Sequence, residues 1–142
     1  MRDLANRLHF KPAIAPVAAR TDNTAIVSTV LDTLGYGSAV LALVTGTNTD
    51  ADATFTVLLE ESNDSGMSGA AAVADADMIG TEVLASFTFA DDVECRKLGY
   101  IGNKRYIRVT VAPAGNGAGD IFIAGVWVQG HPASMPTANP PQ

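Results

Sequence analysis

Acidic pairs are the first residues in this sequence whose types and spacing suit chemistry: Asp50 with Asp52, Asp75 with Asp77, and Asp91 with Asp92. On extended backbone a D-x-D spacing points both carboxylates the same way, and oxygen ligands converging in a turn suit Ca²⁺. The Gly and terminal Glu of an EF-hand loop are missing, and Asp is also a default turn residue, so turn punctuation stands beside the metal reading. His9 and His131 lie near opposite ends, outside any H-x-x-x-H spacing. Cys95 has no second cysteine to pair with, and it reads as a small buried or half-buried thiol rather than a nucleophile. GNGAGD (115–120) lacks the Lys and the strand-to-helix setting of a phosphate loop, and no nucleophile-elbow pattern occurs. The expectation is a non-enzymatic protein with no cofactor and no assigned metal site.

The basic residues raise a different question. Lys104, Arg105 and Arg108 fall together in GYIGNKRYIRVTV (99–111), three of only nine Lys and Arg in a chain of net charge −6. Residues 21–95 contain no Lys or Arg and thirteen Asp and Glu. Such an anionic field argues against nucleic acid as a partner, because phosphate contacts need clustered cations that are not outweighed. It permits one cationic strip to meet an acidic surface on a neighbouring copy or another protein. No apolar run approaches the roughly 20 residues of a membrane span. The start, MRDLANRLHFKPAIAPVAA, is interrupted by Arg7, His9, Lys11, Pro12 and Pro16 and reads as mature sequence.

The elements that position these groups have period two. ATFTVLLEE (53–61) sets Phe55, Val57 and Leu59 against Thr54, Thr56 and Glu60. KRYIRVTV (104–111) sets Ile107, Val109 and Val111 against Lys104, Tyr106, Arg108 and Thr110. IFIAGVWVQ (121–129) sets Ile121, Ile123 and Trp127 against Phe122, Ala124, Val126 and Val128, with Trp127 expected in the core. SAVLALVTG (38–46) is apolar on both faces, as in a strand covered on both sides. TAIVSTVL (24–31), VLASFTF (83–89) and VECRKLGYI (93–101) complete the main set, and PAIAPVAA (12–19) suits only an edge. Residues 62–82 read as a long loop or one short helix over AAAVADADM.

Turn residues separate these runs, with 13 Gly spread along the chain. The expected fold is an all-β antiparallel sandwich of about 7–8 strands, jelly-roll-like, with an immunoglobulin-like arrangement as the alternative. Residues 1–20 are expected as an N-terminal arm, 21–130 as the sandwich domain and 131–142 as a Pro-rich tail. Leu4, Leu8, Phe10 and Met135 would be apolar residues stranded on solvated ends unless those ends dock on another molecule.

TDNTAIVS (21–28), DTLGYGSAVLALVTGT (32–47), DADATFTVLLEES (50–62), AAAVADADMIGTE (70–82), GYIGNKRYIRVTVAPA (99–114) and the closing GHP (130–132) carry a resemblance. In these phrases the chain resembles small β-rich proteins of tailed bacteriophages encoded among head-structure genes. The resemblance implies a virion structural protein of the capsid decoration, or cement, type. It implies the major capsid protein and further copies of the chain, as a homotrimer, for partners, with no membrane or nucleic-acid partner. It places the protein on the capsid surface after assembly in the host cytoplasm. Partner-binding residues would be Arg2, Leu4, Arg7, Leu8, Phe10, Lys104, Arg105, Arg108, Met135 and Pro136. A tail or head–tail connector subunit and a carbohydrate- or host-surface-binding module are the alternative readings.

Overall fold

The alternating stretches fold into two antiparallel sheets packed face to face, in a computed structural model that describes residues 3–141. One sheet has five strands in the spatial order β1 (His9–Ile14), β11 (Ile121–Pro132), β4 (Tyr36–Asn48), β9 (Cys95–Tyr100) and β7 (Met78–Ile79). The six-stranded sheet is built on β10 (Tyr106–Ala114) and β5 (Thr54–Ser62). Short strands β2 (Ile26–Val27) and β3 (Leu31–Asp32) pair with β10, while β6 (Ala71–Ala72) and β8 (Phe87–Thr88) pair with β5. The chain is thus an all-β antiparallel sandwich.

Between the sheets lie Leu41, Leu43, Ile123 and Trp127 from one side and Phe55, Val57, Leu59, Ile107, Val109 and Val111 from the other, all buried. Burial of each large side chain stabilises the fold by roughly 1.5–3 kcal/mol, which makes the inner faces the main source of cohesion. Phe55 stacks on Phe87 with ring centroids 4.7 Å apart. Trp127, 1% exposed, donates its indole N–H to the Thr29 carbonyl at 3.2 Å, so its one polar atom is satisfied.

Local chemistry overrides periodicity in three places. TAIVSTVL does not form one strand: the Ser28 hydroxyl accepts the Val109 N–H at 2.9 Å in place of a backbone carbonyl. The chain then leaves β10, and Thr29 donates its N–H to Ala13 and its hydroxyl to Pro12 on β1. VLASFTF is not a strand from its start. Thr81 accepts the Leu84 N–H and caps a single helical turn, α1 (Glu82–Ala85), which leaves Val83 81% exposed. The 62–82 segment contains β6, a 3₁₀ turn at Asp75–Asp77 and β7, rather than a helix over AAAVADADM.

The ends differ from the expected arms. Residues 9–14 are an edge strand of the five-stranded sheet, and β11 continues through Pro132. Beyond them, a 3₁₀ turn (Ala5–Arg7) meets the returning C-terminal segment: Thr137 donates its N–H to Asn6 O at 3.0 Å and its hydroxyl to Leu8 O at 2.6 Å. The two ends are tied to each other, because each offers backbone groups that no sheet strand takes up.

Candidate functional site

The two arginines of the cationic strip are matched within the chain. Strand register places Arg108 of β10 directly opposite Glu60 of β5, and Tyr106 opposite Asp32 of β3. Arg105 grips Asp32 with two bonds, Nε to Oδ1 at 2.9 Å and Nη2 to Oδ2 at 2.8 Å, and its guanidinium lies over the Tyr106 ring. The Asp32 carboxyl is held below its ordinary value, chiefly by that hydrogen-bonded guanidinium, and Arg105 is correspondingly raised. Arg108 places Nε and Nη2 on Glu60 Oε2 at 3.1 and 3.0 Å, and the Thr110 hydroxyl donates to the same oxygen. Lys104 is half-buried, and its N–H donates to the Tyr100 hydroxyl at 2.8 Å. That hydroxyl in turn donates to Glu61 Oε2 at 2.7 Å. Burial, followed by that carboxylate, pushes the Tyr100 phenol well above its ordinary range. The acidic surface these arginines face belongs to the same molecule.

The terminal candidates come together in part. Leu4, Arg7, Leu8 and Met135 line one groove of about 990 Å³, whose wall includes Ser38 and His131. Pro136 follows Met135 in the exposed tail, and Arg2 lies outside the described residues. Ser38 Oγ lies 3.0 Å from His131 Nδ1. Asp3, the carboxylate lining the groove, accepts both its side-chain and backbone bonds from Asn6, so it does not extend the Ser–His contact into a relay.

Of the acidic pairs, Asp50, Asp91 and Asp92 accept backbone N–H groups, while Asp75 and Asp77 lie in the 3₁₀ turn before β7. Asp50 is buried and accepts the N–H groups of Ala118 and Gly119 at 2.8 and 3.0 Å. A Cβ on Gly119 would collide with the Asp50 backbone, so this approach requires glycine. The Ala118 bond lowers the Asp50 carboxyl, while Asp52, hydrogen-bonded to Asp50, is raised. Asp91 takes the Thr88 N–H and Arg96, and Asp92 takes the Asn48 N–H. Among the described residues no three His, Cys, Asp or Glu side chains converge as a metal site. No helix among them is long and apolar enough to cross a membrane.

The surface that periodicity did not single out is the outer face of the five-stranded sheet. Cross-strand register builds it in rows: Phe10, Val128, Val40, Gly99 and Ile79; then Pro12, Val126, Ala42 and Lys97; then Ala124, Val44 and Cys95. Phe122 ends it on β11, and Phe10, Val44 and Phe122 are 42%, 48% and 53% exposed. Lys97 is the one charged side chain in these rows. Cys95 is exposed, not half-buried, because its register partner Val44 lies on this outer side. The opposite outer face, on the six-stranded sheet, is mixed: Thr54, Thr56, Glu60, Tyr106, Arg108 and Thr110 stand among the apolar Val27, Leu58, Ala112 and Ala114. SAVLALVTG and IFIAGVWVQ carried the signal, being apolar on both faces. The structure shows that the second side is not the interior of this chain.

No protein-family model and no curated protein matches the chain. Solved structures give a likeness in fold alone. A xylan-binding module, CBM15, is 14% identical with a TM-score of 0.43, covering 94% of this chain and 96% of its own. The PBSX exported protein XepA is 14% identical with a TM-score of 0.49, and the chain spans 39% of its length. The Clostridium thermocellum endo-1,4-β-D-xylanase 10B CBM22-1-GH10 modules, complexed with xylohexaose, are 10% identical over 95% of this chain and 28% of that one, with a TM-score of 0.45.

Proposed function

We propose that the chain is a non-catalytic virion structural protein of the capsid-decoration type, acting by adhesion through the outer face of its five-stranded sheet. The contrast between its two outer faces carries the reading. A sandwich with no further role breaks up the apolar residues of its outer faces with polar ones, as the six-stranded sheet does, whereas contiguous exposed apolar rows mark a surface that works covered. The sequence resemblance to phage head-region proteins supports the virion setting. The groove between the two ends, holding Leu4, Arg7, Leu8 and Met135, is a second adhesive element in this reading. A sugar-binding module stacks its ligand on flat exposed rings; Trp127 and Tyr100 are buried and Tyr36 is half-buried, stacked on His9, which leaves Phe10, Phe89 and Phe122 as the exposed rings on which the glycan reading rests.

Capsids lacking the protein, mixed with the purified chain and sedimented, test this. Uptake at many symmetry-related positions, lost in Val44→Glu and Val126→Glu, is the expected result. A chain that stays in the supernatant, or that binds at one vertex, overturns it. Retention on a xylan or cellulose column without capsid uptake replaces it with the glycan reading.

A further inference from the structure

We infer that the open edge of β9 receives an extended segment of the partner molecule, which pairs as an added strand beside Cys95 and Lys97. The inference rests on the adhesive reading of this sheet and names the form in which the partner meets it: a protruding peptide with an apolar side chain followed, two residues on, by an acidic one.

The alternation of ladder groups leaves this edge bare. Thr45 donates its N–H to the Glu94 carbonyl at 2.9 Å, so Glu94, Arg96, Leu98 and Tyr100 turn their backbone groups toward β4. On the other side Ile101 donates its N–H to Asp77 O at 2.9 Å, and Gly99 pairs with Ile79. Cys95 and Lys97, in step with Gly99 and Ile101, turn theirs toward the β7 side. But β7 ends at Ile79, Gly80 with φ +91° turns the chain away, and Thr81 caps α1. The N–H and C=O of Cys95 and Lys97 face outward in line with β7, and no described group bonds to them there.

The other edges are filled. The gap on β5 between β8 and β6 is closed from α1: Ser86 Oγ accepts the Val57 N–H and Glu82 Oε1 the Leu59 N–H. The gap on β10 between β2 and β3 is closed by Ser28, which exchanges bonds with Val109. On β1, Pro12 has no N–H to offer and its carbonyl accepts the Thr29 hydroxyl. So α1 seals the edge of one sheet and stands beside the open edge of the other, where Arg96 donates to the carbonyls of Leu84 and Ser86. Bare ladder groups of this kind are a template for another strand.

The surroundings select the occupant. A hollow of about 410 Å³ opens along the edge, lined among others by Ile79, Gly80, Leu84, Lys97 and Gly99. Ile79 and Leu84 are 63% and 66% exposed. In an antiparallel addition the residue opposite Lys97 sends its side chain to the outer face, into this hollow, and the residue opposite Cys95 stands diagonal to the Lys97 ammonium. An apolar side chain suits the first place and a carboxylate the second. The tail of a second copy does not suit the edge, because Pro136, Pro140 and Pro141 lack N–H groups. Pairing two copies of β9 through Cys95 and Lys97 sets Arg96 directly against Arg96, a like-charge pair.

Titrating the full chain with the peptide acetyl-Thr-Ile-Thr-Glu-Thr-amide, followed by backbone amide resonances, tests the addition. At millimolar peptide the Cys95 and Lys97 N–H signals are expected to shift more than those of Arg96 and Leu98. Methylating the Ile and Glu amide nitrogens, which face the edge, weakens binding at least about tenfold, whereas methylating the middle Thr, whose N–H faces away, leaves it unchanged. Cys95→Pro, at the first residue of a strand where proline is tolerated, weakens it by about tenfold, and Thr56→Glu on the other sheet does not. If the proline variant unfolds, the methylated peptides still decide. No shift, shifts confined to other parts of the chain, or binding indifferent to which nitrogen is methylated overturns the inference. So does a pair of chains that Cys95→Pro dissolves, which makes β9 of a second copy the occupant. Capsid loading lost in Val126→Glu but untouched by Cys95→Pro sinks the strand addition alone. A chain that takes the peptide at this edge and never loads capsids sinks the proposed function alone.

Discussion

Removing Arg108 decides whether the cationic strand serves the fold or a partner. The perturbation is a double-mutant cycle of Arg108→Ala and Glu60→Gln. Three donors converge on Glu60 Oε2, two from Arg108 and one from Thr110, all at 3.0–3.1 Å. The paired side chains are 28% and 17% exposed. Hydrogen bonds to charged groups contribute about 1.5–3 kcal/mol when shielded and exposed ion pairs about 0.2–1 kcal/mol, so a partly screened pair couples by about 1 kcal/mol. In a chain of 142 residues, that corresponds to roughly 3–5 °C in Tm. Urea denaturation of the four proteins at low and high salt measures the coupling, which should shrink as salt rises. A coupling below about 0.3 kcal/mol, together with Arg108→Ala folding normally but failing to load capsids, would refute the intramolecular assignment.

Three further outcomes follow from the same geometry. Tyr100 has its phenol pKa raised on folding, so its share of the stability is complete below the ordinary value of 10.0 and is lost as pH climbs beyond it; Tyr100→Phe should flatten the alkaline limb of a stability–pH profile. Asn116 is fully buried and donates to the carbonyls of Arg20 and Asp22, so Asn116→Ala should cost about 1–3 kcal/mol in urea unfolding. Deleting residues 134–142 removes the Thr137 bonds to Asn6 and Leu8; unfolding should stay cooperative with a loss under about 2 kcal/mol, and amide exchange should quicken around the 3₁₀ turn at Ala5–Arg7.

The sandwich was legible wherever one face is apolar and the other polar. In β5 and β10, Phe55, Val57, Leu59, Ile107, Val109 and Val111 all point inward as the alternation requires. It was illegible where one side chain outbids the pattern. The Ser28 hydroxyl replaces a ladder carbonyl, and the Thr81 cap turns a β-like run into a helical turn. At the ends composition told half: the prolines of 12–19 point to an edge, as β1 is, but its pairing with β11 is a long-range contact that local composition does not encode, so the arm bounds miss it. The apolar face was visible but misassigned: two strands apolar on both sides signal that both sides are covered, without saying by which molecule.

The most direct measurement of the adhesive face is thiol labelling in a Cys95→Ser background, with one cysteine placed at Val44 on the apolar face or at Thr56 on the other. Both sites are exposed in the single chain. In the assembled state the cysteine at position 44 should be protected while that at position 56 reacts at its free-chain rate. Equal labelling of the two sites in the assembly would contradict the account.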